Sequence, residues 1–87
     1  MLKNDWELLR IANGQLSCEN SNKNEKDLEV IEEELKKQFN KRLLDEHIVI
    51  MWDCWSGVFI MQNVGFDYTN LTEQLLLDIF DYLKQKN

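Results

Sequence analysis

The feature that most constrains this chain is an order used twice: two β-forming runs joined through a glycine turn, then an amphipathic helix. Gly14 sits in WELLRIANGQLSCE and Gly57 in HIVIMWDCWSGVFIMQ, and a helical pattern follows each. One hairpin with one helix cannot bury its own apolar face, whereas two such units can share a sheet. The order β-β-α-β-β-α therefore points to an α+β domain of two layers, a four-stranded antiparallel sheet with two helices on one face. Residue identity between the halves is slight, so the repetition is architectural and no duplication is claimed.

In the first half, Asn13-Gly14 is the dipeptide best able to supply the two positive φ angles of a type I′ turn. A two-residue turn there sets Leu9 opposite Cys18 and Ile11 opposite Leu16 on one face. Leu8 opposite Glu19 and Arg10 opposite Ser17 then fall on the other. The polar run NSNKN leads into EKDLEVIEEELKKQFNKRLL, where Leu28, Ile31, Leu35, Phe39 and Leu43 recur at helical spacing, predicting a helix from about Glu25 to Leu44. Glu25, Asp27, Glu29, Glu32, Glu33 and Glu34 fill its first half; Lys36, Lys37, Lys41 and Arg42 fill its second. That is the order the helix dipole favours, with Glu32 to Lys36 and Glu33 to Lys37 as supporting pairs, so helix formation alone explains this charge run.

In the second half, His47 to Trp52 and Val58 to Gln62 read as strands around a loop of three to five residues, with Gly57 in the left-handed position. A last helix runs from about Leu71 to Gln85, with Asn70 as its cap and Glu73 as the reciprocal partner. Leu71, Leu75, Ile79 and Tyr82 or Leu83 mark its apolar stripe, widened by Leu76 and Phe80.

Eighty-seven residues suit a single domain, 1–87, with a modest core. A net charge of -6 repels nucleic acid and anionic membranes alike, which argues against direct binding to either. Asp5 and Glu7 interrupt the start where an export signal needs an apolar run, and nothing approaches the roughly 18 apolar residues of a membrane span, so a cytoplasmic protein is expected. Without an export signal, the glycosylation pattern at Asn70 has no compartment in which to act. Cys18 and Cys54 form no CxxC pair and are expected to be reduced, small core residues. Isolated glycines, one histidine and scattered carboxylates give neither a phosphate loop nor tetrahedral metal spacing, so no cofactor or metal is expected.

Two chemistries compete for the stretch MWDCWSGVFIM. A thiol enzyme would use Cys54 as nucleophile, His47 as base and Asp53 or Ser56 in support. His47, however, stands at the far end of its strand, some 20 Å away at about 3.3 Å per residue, and acidic surroundings raise a thiol pKa. A hairpin needs the same residues: Asp53, Ser56 and Gly57 are turn formers. The expectation is thus a protein without catalytic residues.

Strand alternation sends Ile48, Ile50, Trp52, Val58 and Ile60 one way and Val49, Met51, Phe59 and Met61 the other. A bulge at Ser56-Gly57 would exchange Val58 and Phe59. Two helices suffice for one face only. Either the segment around Leu2 and Trp6 or the Val64 to Tyr68 connection closes the second face, or Val49, Met51, Phe59 and Met61, with Trp55 at the loop tip, form an interaction surface. The leading expectation is a small acidic module that binds a protein partner, a homodimer being the simplest case. A second class takes the first half of helix one, with Asp67, Glu73, Asp78 and Asp81, as an imitation of nucleic-acid phosphates that blocks a basic protein, in the manner of small inhibitors and immunity proteins. The basic residues of helix one interrupt that surface.

Overall fold

The computed structural model describes residues 5–85. Its elements are strand β1 (Glu7–Arg10), strand β2 (Leu16–Asn20), helix α1 (Glu25–Asp45), strand β3 (Ile48–Asp53), strand β4 (Gly57–Gln62) and helix α2 (Asn70–Gln85). The strands form one antiparallel four-stranded sheet in the order β1-β2-β4-β3, so the two hairpins join along β2 and β4, and β1 and β3 are the edges. This is the α+β arrangement expected from the repeated order. Leu8, Cys18, Ile60 and Ile50 lie abreast across all four strands. Together with Leu16 and Val58 they pack against Ile31, Leu35 and Leu43 of α1 and Leu75, Leu76, Ile79 and Leu83 of α2, so both helices share one face of the sheet. Helix α1 lies chiefly over β3 and α2 over β2.

The first hairpin departs from the expected turn. The Gly14 amide donates to the Ile11 carbonyl at 2.8 Å and the Ile11 amide to the Gln15 carbonyl at 2.9 Å, which closes a three-residue loop of Ala12, Asn13 and Gly14. Gly14 takes a positive φ of 85°, whereas Asn13 does not, so this is a type I turn completed by a left-handed glycine and not a type I′ turn. The extra loop residue shifts the register by one: Leu8 pairs with Cys18, Leu9 with Ser17 and Arg10 with Leu16. Apolar alternation favours Leu9 and Ile11 inward, but the three-residue loop turns Arg10 to the helix side, where it meets a partner. Its guanidinium makes two bonds to the Glu73 carboxylate, at 2.8 and 3.0 Å. Tyr68 ties the same corner, accepting from the Leu16 amide and donating to Glu73.

Helix α1 begins where Asn24 and Asp27 cap each other's backbone, Asn24 accepting from the Lys26 amide and Asp27 from the Asn24 amide. His47, at φ 54°, turns the chain out of α1, so β3 begins at Ile48 and not at His47. The cap of α2 is Thr69, not Asn70: the Thr69 hydroxyl accepts from the Leu71 amide and the Thr72 hydroxyl accepts from the Thr69 amide. Glu73 is thereby released to hold Arg10. Leu71, expected in the apolar stripe, is 71% exposed, and Thr72 is buried in its place with its hydroxyl donating to Glu46.

Candidate functional site

The second hairpin supplies the surface of interest. Asp53 pairs with Gly57, leaving Cys54, Trp55 and Ser56 as the loop. The Asp53 carboxylate oxygen Oδ1 accepts from the amides of Trp55 and Ser56 at 2.8 and 2.6 Å, which fixes the turn by a short side chain with an oxygen acceptor. Gly57 carries a φ of 73°, and a Cβ there would run into the Asn20 carbonyl oxygen and the Ser21 Cα of the neighbouring strand end. Glycine is therefore required both by backbone conformation and by the close approach of β2.

With this turn, Met51 lies opposite Phe59 and Val49 opposite Met61, while Ile50 and Trp52 lie opposite Ile60 and Val58. No bulge at Ser56-Gly57 exchanges the faces. Val49, Met51, Phe59 and Met61 thus stand together on the side of the sheet away from the helices; Met51 is exposed and the other three are half-buried. Glu7, Glu19, Phe59 and Met51 form one row across all four strands. The apolar area therefore occupies the β4 and β3 half of this face, and the facing carboxylates of Glu7 and Glu19 bound it on the β1 and β2 half. Trp55, at the loop tip, is 89% exposed.

Leu9 joins this face through the shifted register and is itself exposed. Sequence reasoning missed it because ELLR offers two adjacent leucines, and only the loop length decides which one faces inward.

Among the described residues, neither Trp6 nor the side chains of the Val64 to Tyr68 connection close this face. Trp6 is buried in the core cluster on the helix side, and Leu2 lies outside the described residues. In the connection after β4, Val64 is exposed, Tyr68 packs against the core, and Phe66 stacks on His47 with ring centroids 3.7 Å apart. That stack sits where β3 begins, at the opposite end of the hairpin from Trp55.

The residues considered for thiol chemistry are not brought together. His47 is abreast of Asn63, whose amide donates to its carbonyl, while Cys54 follows the Asp53 and Gly57 pair at the other end. Cys54 is exposed, contrary to the expectation of a core position, because the loop holds it outside the sheet. Cys18 is buried, donates its Sγ hydrogen to the Leu76 carbonyl, and has its thiol pushed up to about 12 by burial and by the neighbouring Glu19 carboxylate. It behaves as a small apolar group.

Among the described residues, no group of three or more His, Cys, Asp or Glu side chains is arranged to hold a metal ion. A cleft of about 150 Å³ lined by Arg42, Asp45, Glu46 and Leu71 is smaller than the several hundred Å³ usual for small-molecule sites. No helix among the described residues is long and apolar enough to cross a membrane. Comparison with protein-family models, curated proteins and solved structures finds no significant match.

Proposed function

We propose that this chain is a small cytoplasmic protein-interaction module without catalytic activity, presenting its open sheet face to a protein partner and pairing with a second copy of itself. The observation that carries this reading is the grouping of Val49, Met51, Phe59 and Met61 on the face opposite the helices, beside an almost fully exposed Trp55. Each such side chain gains roughly 1.5 to 3 kcal/mol on full burial, which together is comparable with the cost of association. Methionine and aromatic side chains suit the role because they bury much area and adapt to the surface they meet. The remoteness of His47 from Cys54 supports a non-catalytic reading of the loop.

The test compares two double variants. Met51→Lys with Phe59→Lys should give a folded monomer where the wild type dimerises, judged by circular dichroism and light scattering. Ile50→Lys with Ile60→Lys should unfold the chain, because Ile60 is fully buried and Ile50 packs against the core. A wild type that stays monomeric and captures no protein partner through the open face would remove the basis of this proposal.

A further inference from the structure

We infer that β3 is the seam of a symmetric dimer, in which the β3 edges of two copies pair antiparallel and extend the sheet to twice its width. The inference deepens the proposed function, since it names where the second copy docks. It starts from the ladder pattern. The Asn63 amide donates to the His47 carbonyl, which makes that pair a hydrogen-bonded one. In an antiparallel ladder such pairs alternate, so Val49, Met51 and Asp53 also direct their N–H and C=O groups towards β4. Ile48, Ile50 and Trp52 then direct theirs outward, away from the sheet.

Natural edge strands are usually blunted by charge, proline, a bulge or shortness. The β1 edge is four residues long and carries Glu7 and Arg10. The β3 edge, IVIMWD, is six residues long, uninterrupted in its pairing with β4, and free of charge until Asp53. On the helix side Ile48, Ile50 and Trp52 are only half-buried, whereas Val58, Ile60 and Gln62 on the adjoining strand are buried.

The strand is also complementary to itself. With the two-fold axis at Ile50, each outward-facing residue meets another: Ile50 meets Ile50 of the partner subunit, and Ile48 meets Trp52 of the partner subunit. On the open face the same register sets Val49 beside Met51 of the partner subunit, an apolar pair at the close spacing of a non-hydrogen-bonded position. At each end it brings Asp53 abreast of His47 of the partner subunit, the chain's only histidine opposite a carboxylate. No like charges meet along the seam. The two apolar faces become one continuous surface, with both copies of Val49 and Met51 at its centre.

Amide hydrogen exchange measured by NMR on the intact chain tests this directly. At concentrations where sedimentation shows a dimer, the amides of Ile48, Ile50 and Trp52 should exchange slowly, and they should lose that protection on dilution to monomer. Val49 and Met51, bonded within the subunit, should keep theirs. In a Cys54→Ser background, mixing Val49→Cys and Met51→Cys proteins under mild oxidation should give a disulfide between them faster than either protein forms one alone. A dimer in which the three outward amides exchange freely overturns the seam, as does equal or faster cross-linking of either single variant alone. If such a dimer is dissolved by Met51→Lys with Phe59→Lys, the seam fails while the open-face reading stands. If the outward amides are protected in a dimer that survives those lysines, the seam stands and the open-face reading fails. A chain that is monomeric at every concentration overturns the seam.

Discussion

The two turn glycines have different physical duties. Gly14 holds a left-handed φ of 85° with open space around it, while Gly57 holds 73° and has the backbone of Asn20 and Ser21 where a side chain would go. Left-handed backbone costs a non-glycine residue roughly 1 to 2 kcal/mol, so Gly14→Ala should lower stability by about that amount. Gly57→Ala carries the same strain plus a collision with backbone that cannot swing aside, and should lower it by about 3 kcal/mol or prevent folding. Denaturant melts of the two variants check the order; equal losses would show that β2 does not approach the second turn as described. The cysteines divide in the same residue-by-residue way. Burial holds the Cys18 thiol protonated, with its pKa near 12, whereas Cys54 is open to solvent. A thiol-counting reagent should therefore modify Cys54 in native protein and reach Cys18 only on unfolding.

At the scale of elements, the corners are held by polar contacts that sequence pattern alone assigns to the wrong neighbour. Asn70 and Glu73 fit a capping box in the sequence, yet Thr69 and Thr72 form the cap, and Glu73 bonds to Arg10 and Tyr68. Thr69→Ala should accordingly cost about 1 kcal/mol and Asn70→Ala much less, a difference that thermal melts can read. The helices and strands themselves were legible, because Leu28 to Leu43 and Leu75 to Leu83 repeat at helical spacing and the β3 and β4 runs alternate cleanly. Turn length in the first hairpin was not, since Asn-Gly serves both two-residue and three-residue loops, and the contact that accompanies the longer loop, Arg10 to Glu73, spans most of the chain. That contact also has a pH signature. Hydrogen bonds from Arg10 and then from Tyr68 hold the Glu73 carboxyl below its ordinary range, and bonds from Gln74 and then from Arg42 do the same for Asp78. A carboxyl whose folded pKa is lowered contributes stability that is complete above its unfolded pKa and disappears as pH falls through its folded one. Glu73→Gln should therefore flatten the loss of stability below about pH 4.5, seen by comparing denaturant midpoints across that range with wild type.

At the scale of the whole molecule, the sheet leaves its two faces unequal. The core face was readable from the alternation of Ile48, Ile50, Val58 and Ile60, and so was the apolar character of the other face. Its boundary was not readable, because the carboxylates of Glu7 and Glu19 and the placement of Leu9 depend on the register of the first hairpin. The surplus negative charge bears on the proposed assembly through its response to salt. Each chain carries -6, so two copies repel, while the seam and open face proposed for pairing are formed mainly by backbone groups and apolar side chains, with Asp53 opposite His47 of the partner subunit only at the ends of the seam. The molecule measures 38 × 28 × 20 Å. At 0.01 M salt the screening length is about 30 Å, so repulsion acts across the whole dimer, whereas at 0.15 M it is about 8 Å and most of that repulsion is screened. Apolar and backbone contacts lose little to that change. Self-association should therefore tighten severalfold between these two salt concentrations, measured by sedimentation equilibrium. Capture of a basic protein through the carboxylates of α1 has the opposite sign and weakens as salt is added. A dimer that falls apart on moving from 0.01 to 0.15 M salt would mean that attraction between charges holds it together, and the apolar face and the β3 seam would both lose their role in assembly.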